Sequence, residues 1–222
     1  CLIDIGASTT SICVYREDKL IYTHCFAEGG HHATLDISMQ LDVTIAEAEN
    51  MKKSQANVDR HGIDSSQFFT IKRSQHDDEK TINMLELLEV TEARYISILG
   101  HIKKELDKEG LSEFLQQGYV ISGGGAEMRG LLPLAKKIFA NKVNKVNQHS
   151  AISAYTQYGD DDKLRTIAAM IGERKYQTAF GTLLYSQSEA FHHSEKSSPD
   201  SLQVQPMREK LKIVNKFFGK FF

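Results

Sequence analysis

Two short glycine turns, each placed at the end of a strand-like run, constrain this chain more than any other feature. The first lies in "LIDIGASTTSICVY", where Asp4 ends a β-rich stretch and Gly6, Ala7, Ser8, Thr9 and Thr10 follow. Small residues, backbone N–H groups and hydroxyls at such a corner can approach a phosphate, and the carboxylate can hold a metal-bound water. An ordinary hairpin corner has the same composition. The second lies in "YVISGGGAEMRGL", residues 119–131, where three glycines separate a strand from a helix. Glycines there permit positive φ and let a flat or anionic ligand touch the backbone. No Gly-Lys-Ser/Thr follows, so it is not a P-loop, and it lacks the G-x-G-x-x-G spacing of a dinucleotide fold. A plain strand-to-helix turn would also account for it.

Around these turns the pattern is α/β. Residues 2–5, 11–15 and the run "KLIYTHCF" predict a β-meander. Helices are expected over Thr34 to Leu41 and Ile45 to Lys53, and a short strand within "QFFTIKR". Ile82, Leu85, Leu88, Ile96, Leu99 and Ile102 recur at helical spacing, predicting one long helix from Thr81 to about Lys108, ended by Gly110. After the second glycine turn a helix is expected from Leu131 to Ala140, and "TAFGTLLYS" reads as a helix-like element. Residues 160–176 read as a charged surface insertion, and "HHSEKSSPDSLQVQP" has the composition of a flexible linker.

Cys1, Cys13 and Cys25 form an odd set without C-x-x-C spacing, which favours buried, reduced thiols and a cytoplasmic protein. Because the first residue is Cys1 and a strand-like run begins at once, the chain reads as the C-terminal portion of a longer polypeptide. Adjacent histidines at His31-His32 and His192-His193 do not converge on a metal without further ligands. No Ser/His/Asp or Cys/His arrangement suggests a catalytic nucleophile, and nothing points to nucleic acid.

Charge is concentrated at one end. The net charge of −2 hides five bases against one acid from Arg208 onward, which is +4, so the remainder carries −6. On a helix, Met207, Leu211, Val214, Phe217, Phe218, Phe221 and Phe222 share one arc, while Arg208, Lys212, Lys216 and Lys220 fall opposite. Only Lys210 sits near the apolar edge, where its stem can snorkel. A bilayer span needs about 20 apolar residues, so this segment is too short and too charged to cross one. It reads as an interfacial helix on an anionic membrane surface, gaining roughly 1 kcal/mol per base. Docking on its own domain, or on a calmodulin-type partner, is the alternative.

Taken together and in order, the turns resemble a known superfamily. "LIDIGASTTSICVY" resembles the second phosphate motif of the actin-like ATPases, and "YVISGGGAEMRGL" resembles their adenosine motif. Between them "AEAENMKK" is similar to the segment that clamps ribose and adenine in the chaperone branch; alone, Glu49 with Lys52 and Lys53 would read as a solvated ion pair. Further segments, "GGHHATLDISMQL", "LLEVTEARYISIL" and "YQTAFGTLLYS", follow the order of the bacterial cell-division FtsA family over most of residues 1–190.

The resemblance implies an actin-like, ribonuclease H-like α/β fold, present as its second half, with a C-terminal amphipathic helix. It implies a nucleotide-binding subdomain from residues 1–43 and 118–190, a smaller inserted subdomain at 44–117, a linker at 191–206 and a membrane-targeting helix at 207–222. Asp4, Gly6, Ser8 and Thr9 would face the phosphates of ATP with its Mg, Asp4 touching the metal through water. Glu49, Lys52 and Lys53 would face the sugar and base, with Gly123, Gly124 and Met128 lining the adenine slot. Glu92, Arg94 and Tyr95 fall in the region that would receive the C-terminal tail of the tubulin-like protein FtsZ. Leu211, Val214, Phe217, Phe218, Phe221 and Phe222, with Lys212, Lys216 and Lys220, would lie on the cytoplasmic face of the inner membrane at the division site. Self-association into filaments is implied too. The sequence departs from the family's phosphate turn at Ala7, Ser8 and Ser11, which implies weak or absent hydrolysis. The pilus-assembly protein PilM, similar at "DIGASTT" and "GG" but without the basic tail, is the competing reading; a sugar kinase of the superfamily is a third.

Overall fold

Alternation in the first 26 residues builds three strands, β1 (Leu2–Ile5), β2 (Thr10–Arg16) and β3 (Lys19–Phe26), in an antiparallel meander. Ile3 and Ile5 of β1 and Ile12 and Val14 of β2 are buried on one face, as a period of two requires. The computed structural model describes residues 1–145, apart from 18, 62, 63, 65 and 73–78, together with Thr178, Gly181 and Thr182. Expectations for the insertion at 160–176, the linker at 191–206 and the tail at 207–222 lie outside the described residues.

The chain then leaves the sheet. Helix α1 (Gly30–Gln40) and helix α2 (Ile45–Ser54) lead to a separate two-stranded ribbon, β4 (Phe68–Lys72) with β5 (Glu79–Asn83), and to the long helix α3 (Met84–Lys108). It returns as β6 (Tyr119–Ser122), parallel to β1, followed by α4 (Leu131–Phe139) and β7 (Val143–Lys145), parallel to β6. The five strands lie in the order β3-β2-β1-β6-β7. In this register Asp4 has Ser11 on one side and Ser122 on the other, so the ends of the two turn-bearing strands are neighbours. Sites at the carboxyl ends of such strands are a recurrent consequence of α/β topology.

Several element boundaries differ from the sequence reading, each for a physical reason. Helix α1 begins at Gly30, four residues before Thr34, because Gly30 N and His31 N donate to the carbonyls of Gly6 and Ala7 at 2.9 and 2.7 Å. Its first turn is thus satisfied by tertiary partners that no periodicity reveals. Thr81 to Asn83, expected to open the long helix, belong to β5, where Ile82 is buried opposite Phe69. Asn83 then caps α3 by accepting from Leu85 N at 2.8 Å. Neither β5 nor the short β7 is anticipated by the pattern. Helix α2 begins where expected, on a capping box in which Thr44 Oγ1 accepts from Glu47 N and Glu47 Oε2 accepts from Thr44 N.

The core is one cluster. Ile3, Ile5, Ile12 and Ile121 of the sheet meet Ala33 and Ile37 of α1, Tyr95, Ile98, Leu99 and Ile102 of α3, and Leu131 and Ala135 of α4. Burial of each such Ile or Leu side chain contributes about 1.5–3 kcal/mol. Cys1 and Cys13 are only partly buried and Cys25 is exposed; all three are unbridged, so the expectation of buried thiols is corrected: Cys13 alternates with the buried Ile12 and Val14 on β2, and Cys25 lies on the edge strand β3. The chain divides into Cys1–Thr178, which holds every element above, and Ala179–Phe222, of which only Gly181 and Thr182 are described. Among the described residues no helix is long and apolar enough to cross a membrane.

Candidate functional site

The two glycine turns pack against each other. Gly123 has φ 87°, and a Cβ there would fall 2.3 Å from Asp4 Oδ1 and 2.4 Å from Ile5 O. Glycine is required on both counts, conformation and space. Gly125 presses equally close, its added Cβ lying 2.3 Å from Ile5 Cγ2. In the first turn Gly6 N donates to Thr9 O at 2.9 Å and leaves Ala7, Ser8 and Thr9 exposed. Asp4 stands beneath both turns, and its Oδ2 accepts from Thr178 Oγ1 at 2.7 Å.

Helix α1 links the first turn to α2. Gly29 brings the start of α1 so close that a Cβ would lie 2.6 Å from Ala7 O. One residue on, the Gly30 carbonyl accepts from Lys52 Nζ at 3.0 Å. Lys52 also donates to Thr34 Oγ1 at 2.8 Å and to Glu49 Oε2 at 2.7 Å. Thr34 Oγ1 donates to the same Glu49 oxygen at 2.5 Å, and Lys53 Nζ pairs with Glu49 Oε1 at 3.0 Å. Burial raises the Glu49 carboxyl, but hydrogen bonds from Lys52, Thr34 and Lys53 outweigh it and pull the group down to about 2. It is therefore a carboxylate at neutral pH.

A concavity of about 340 Å³ opens between these elements, within the range of small-molecule sites. Of the residues singled out in the sequence, Gly6, Glu49, Lys52, Lys53, Gly124 and Met128 line it. Asp4, Ser8, Thr9 and Gly123 do not line it: Gly123 is buried against Asp4, while Ser8 and Thr9 stand exposed at the rim of the first turn. Gly30, Ala56, Tyr95, Gly125, Glu127 and Arg129 also line it without having been assigned to the cleft from the sequence, and two of them tie its walls together. Tyr95, 1% exposed, donates from its hydroxyl to Gly125 O at 3.2 Å, and burial together with the Glu49 charge pushes its phenol up. Arg129 donates to Ala56 O at 3.1 Å and to Ser54 O at 2.5 Å, while its own carbonyl accepts from Val58 N at 3.0 Å. It straps the end of α2 to the second turn. Both were accessible in principle, Arg129 as part of the second motif and Tyr95 through the helical spacing of buried α3 positions.

The three residues expected to receive a peptide are otherwise engaged. Tyr95 is in the concavity wall, Arg94 makes a two-pronged pair with Asp36 at 2.6 and 2.9 Å, and Glu92 pairs with Arg60 at 2.7 Å. They do not share one open helix face. Among the described residues no cluster of three or more His, Cys, Asp or Glu side chains could hold a metal ion.

The chain has relatives. A family model described as "Cell division protein FtsA" matches residues 1–172. The protein of that description from Agrobacterium fabrum is 30% identical over 144 residues, covering 64% of this chain and 32% of that protein. The one from Buchnera aphidicola is 26% identical over 229 residues, covering 100% of this chain and 51% of that protein. The chain thus spans between a third and a half of the length of these curated relatives. Among solved structures, MreB5 of Spiroplasma citri bound to ADP superposes with a TM-score of 0.54 at 20% identity, covering 66% of this chain and 48% of that one. A PilM–PilN type IV pilus biogenesis complex gives 0.56 at 17% identity, covering 84% and 45%. At such identities the likeness establishes the fold, which is actin-like, as the sequence implied. With the family model covering more than half of its residues, this chain belongs to the FtsA family of cell-division proteins.

Proposed function

We propose that the concavity is one wall of a purine-nucleotide site, and that the full-length protein binds ATP with Mg and holds FtsZ filaments at the inner membrane. The observation that carries the nucleotide reading is the convergence of three elements on one space. Gly6 and Ala7 of the first turn, Glu49 and Lys53 of α2, and Gly124, Gly125 and Met128 of the second turn line the same 340 Å³. An ionised carboxylate suits ribose hydroxyls, an exposed ammonium suits an anionic ligand, and a glycine backbone beside Met128 suits a flat base. Asp4, at the end of β1 just outside the lining, suits Mg²⁺ held chiefly by phosphates and water. The metal would supply charge neutralisation to the phosphates; Asp4 would position its water.

Membrane tethering rests on the segment from Met207 to Phe222, whose apolar arc and five bases suit an anionic surface. The subdomain boundaries, filament formation and peripheral localisation at the division site belong to the same proposal. The basic tail and the family match favour FtsA over the PilM reading, although the fold is common to both. Titration of ATP with Mg into the full-length protein is expected to show saturable binding; no binding would overturn the nucleotide reading. Changing Phe217, Phe218 and Phe221 together to Glu is expected to abolish co-sedimentation with anionic vesicles, and retention equal to the parent would overturn the tether.

A further inference from the structure

We infer that Lys52 is a positioning residue that locks Glu49 onto the first turn of α1, and that Lys53 is the cation that meets the ligand. This rests on the nucleotide reading above. The sequence assigns both lysines to the sugar and base, yet the structure separates them. Lys52 is 13% exposed, and Gly30 O, Thr34 Oγ1 and Glu49 Oε2 at 2.7–3.0 Å use every N–H of its ammonium. It has nothing left to offer a ligand without giving up a bond inside the protein. Lys53 is 71% exposed and pairs with Glu49 Oε1 at 3.0 Å. An exposed pair of this kind breaks at little cost, so its ammonium can turn toward an anion.

The lock has a direction. Gly30 N donates to Gly6 O and Gly30 O accepts from Lys52, so one residue at the head of α1 touches the first turn on one side and the Glu49 network on the other. Thr34, fully buried one turn along α1, donates to the Glu49 oxygen that Lys52 also holds. Glu49 Oε2 is therefore pinned from α1, and only its other oxygen is turned toward the exposed Lys53. A carboxylate held in this way meets a ribose hydroxyl without first being ordered, and that lowers the cost of binding.

The test uses the full-length protein and two ligands, ATP and its 2′,3′-dideoxy analogue, with affinities from calorimetry and thermal midpoints measured alongside. The parent is expected to prefer ATP by roughly tenfold, the worth of one charge-assisted hydrogen bond. Lys52→Met and Thr34→Val are each expected to reduce that preference to about twofold, and Lys52→Arg to restore part of it. Lys53→Gln is expected to weaken both ligands alike and leave the preference intact. If Lys52→Met and Thr34→Val lower the midpoint or the affinity for both ligands but keep the parent's preference, Lys52 is merely structural and the inference is overturned. A parent that binds both ligands equally overturns it as well, while leaving the nucleotide reading in place; a parent that binds neither overturns both.

Discussion

The carboxylate of Glu49 is held by two lysines and a threonine while burial opposes its charge, and the bonds win, bringing it from the ordinary 4.5 to about 2. A depressed carboxyl contributes stability that is fully present above its unfolded value and is lost as pH falls through the folded one. Stability is thus expected to decline between pH 4.5 and 2. Glu49→Gln should make that decline shallower while leaving the variant less stable at neutral pH, as read from urea midpoints across the range. Gly123 makes a different kind of demand. With φ 87° and Asp4 Oδ1 in the way, Gly123→Ala is expected to cost on the order of 3 kcal/mol in chemical denaturation. Glu49 was legible as a candidate from its spacing to the lysines. The division of labour between those lysines was not, since it depends on Gly30 and Thr34, distant in sequence and brought near only by the packing of α1 on α2.

At the level of elements, the strands and helices that sequence reasoning placed well are those whose signal is local. Helix α2 opens on Thr44 and Glu47, a box visible in four consecutive residues, and α4 starts at Leu131 right after Gly130 with φ 77°. Removing the box by Thr44→Ala is expected to cost about 1 kcal/mol, measurable by the same denaturation. Misplaced boundaries are those set by partners elsewhere in the chain. The start of α1 depends on carbonyls of the first glycine turn, and β5 exists because β4 pairs with it across residues that carry no hydrophobic periodicity of their own. Tyr95 illustrates the same point within a helix. Its spacing marks it as a core position, but its hydroxyl reaches Gly125 O, so the core of α3 is also the floor of the concavity.

For the molecule as a whole, the five-stranded sheet sets its two turn-bearing strands side by side, so that among the described residues both glycine turns meet at the carboxyl ends of β1 and β6. The pairing of Asp4 with Ser11 and Ser122 makes the two motifs, more than a hundred residues apart, a single structural feature. Their joint occurrence in sequence therefore carried more than either alone. In the proposed nucleotide site the base lies between the end of α2 and the second glycine turn. Photolabelling of the full-length protein with 8-azido-ATP, followed by peptide mapping, reads that placement out. Label is expected in the peptides containing Glu49 to Ala56 or Gly124 to Arg129, with loss of that label when ATP is added in excess. Label confined to other peptides, or undiminished by ATP, would contradict it.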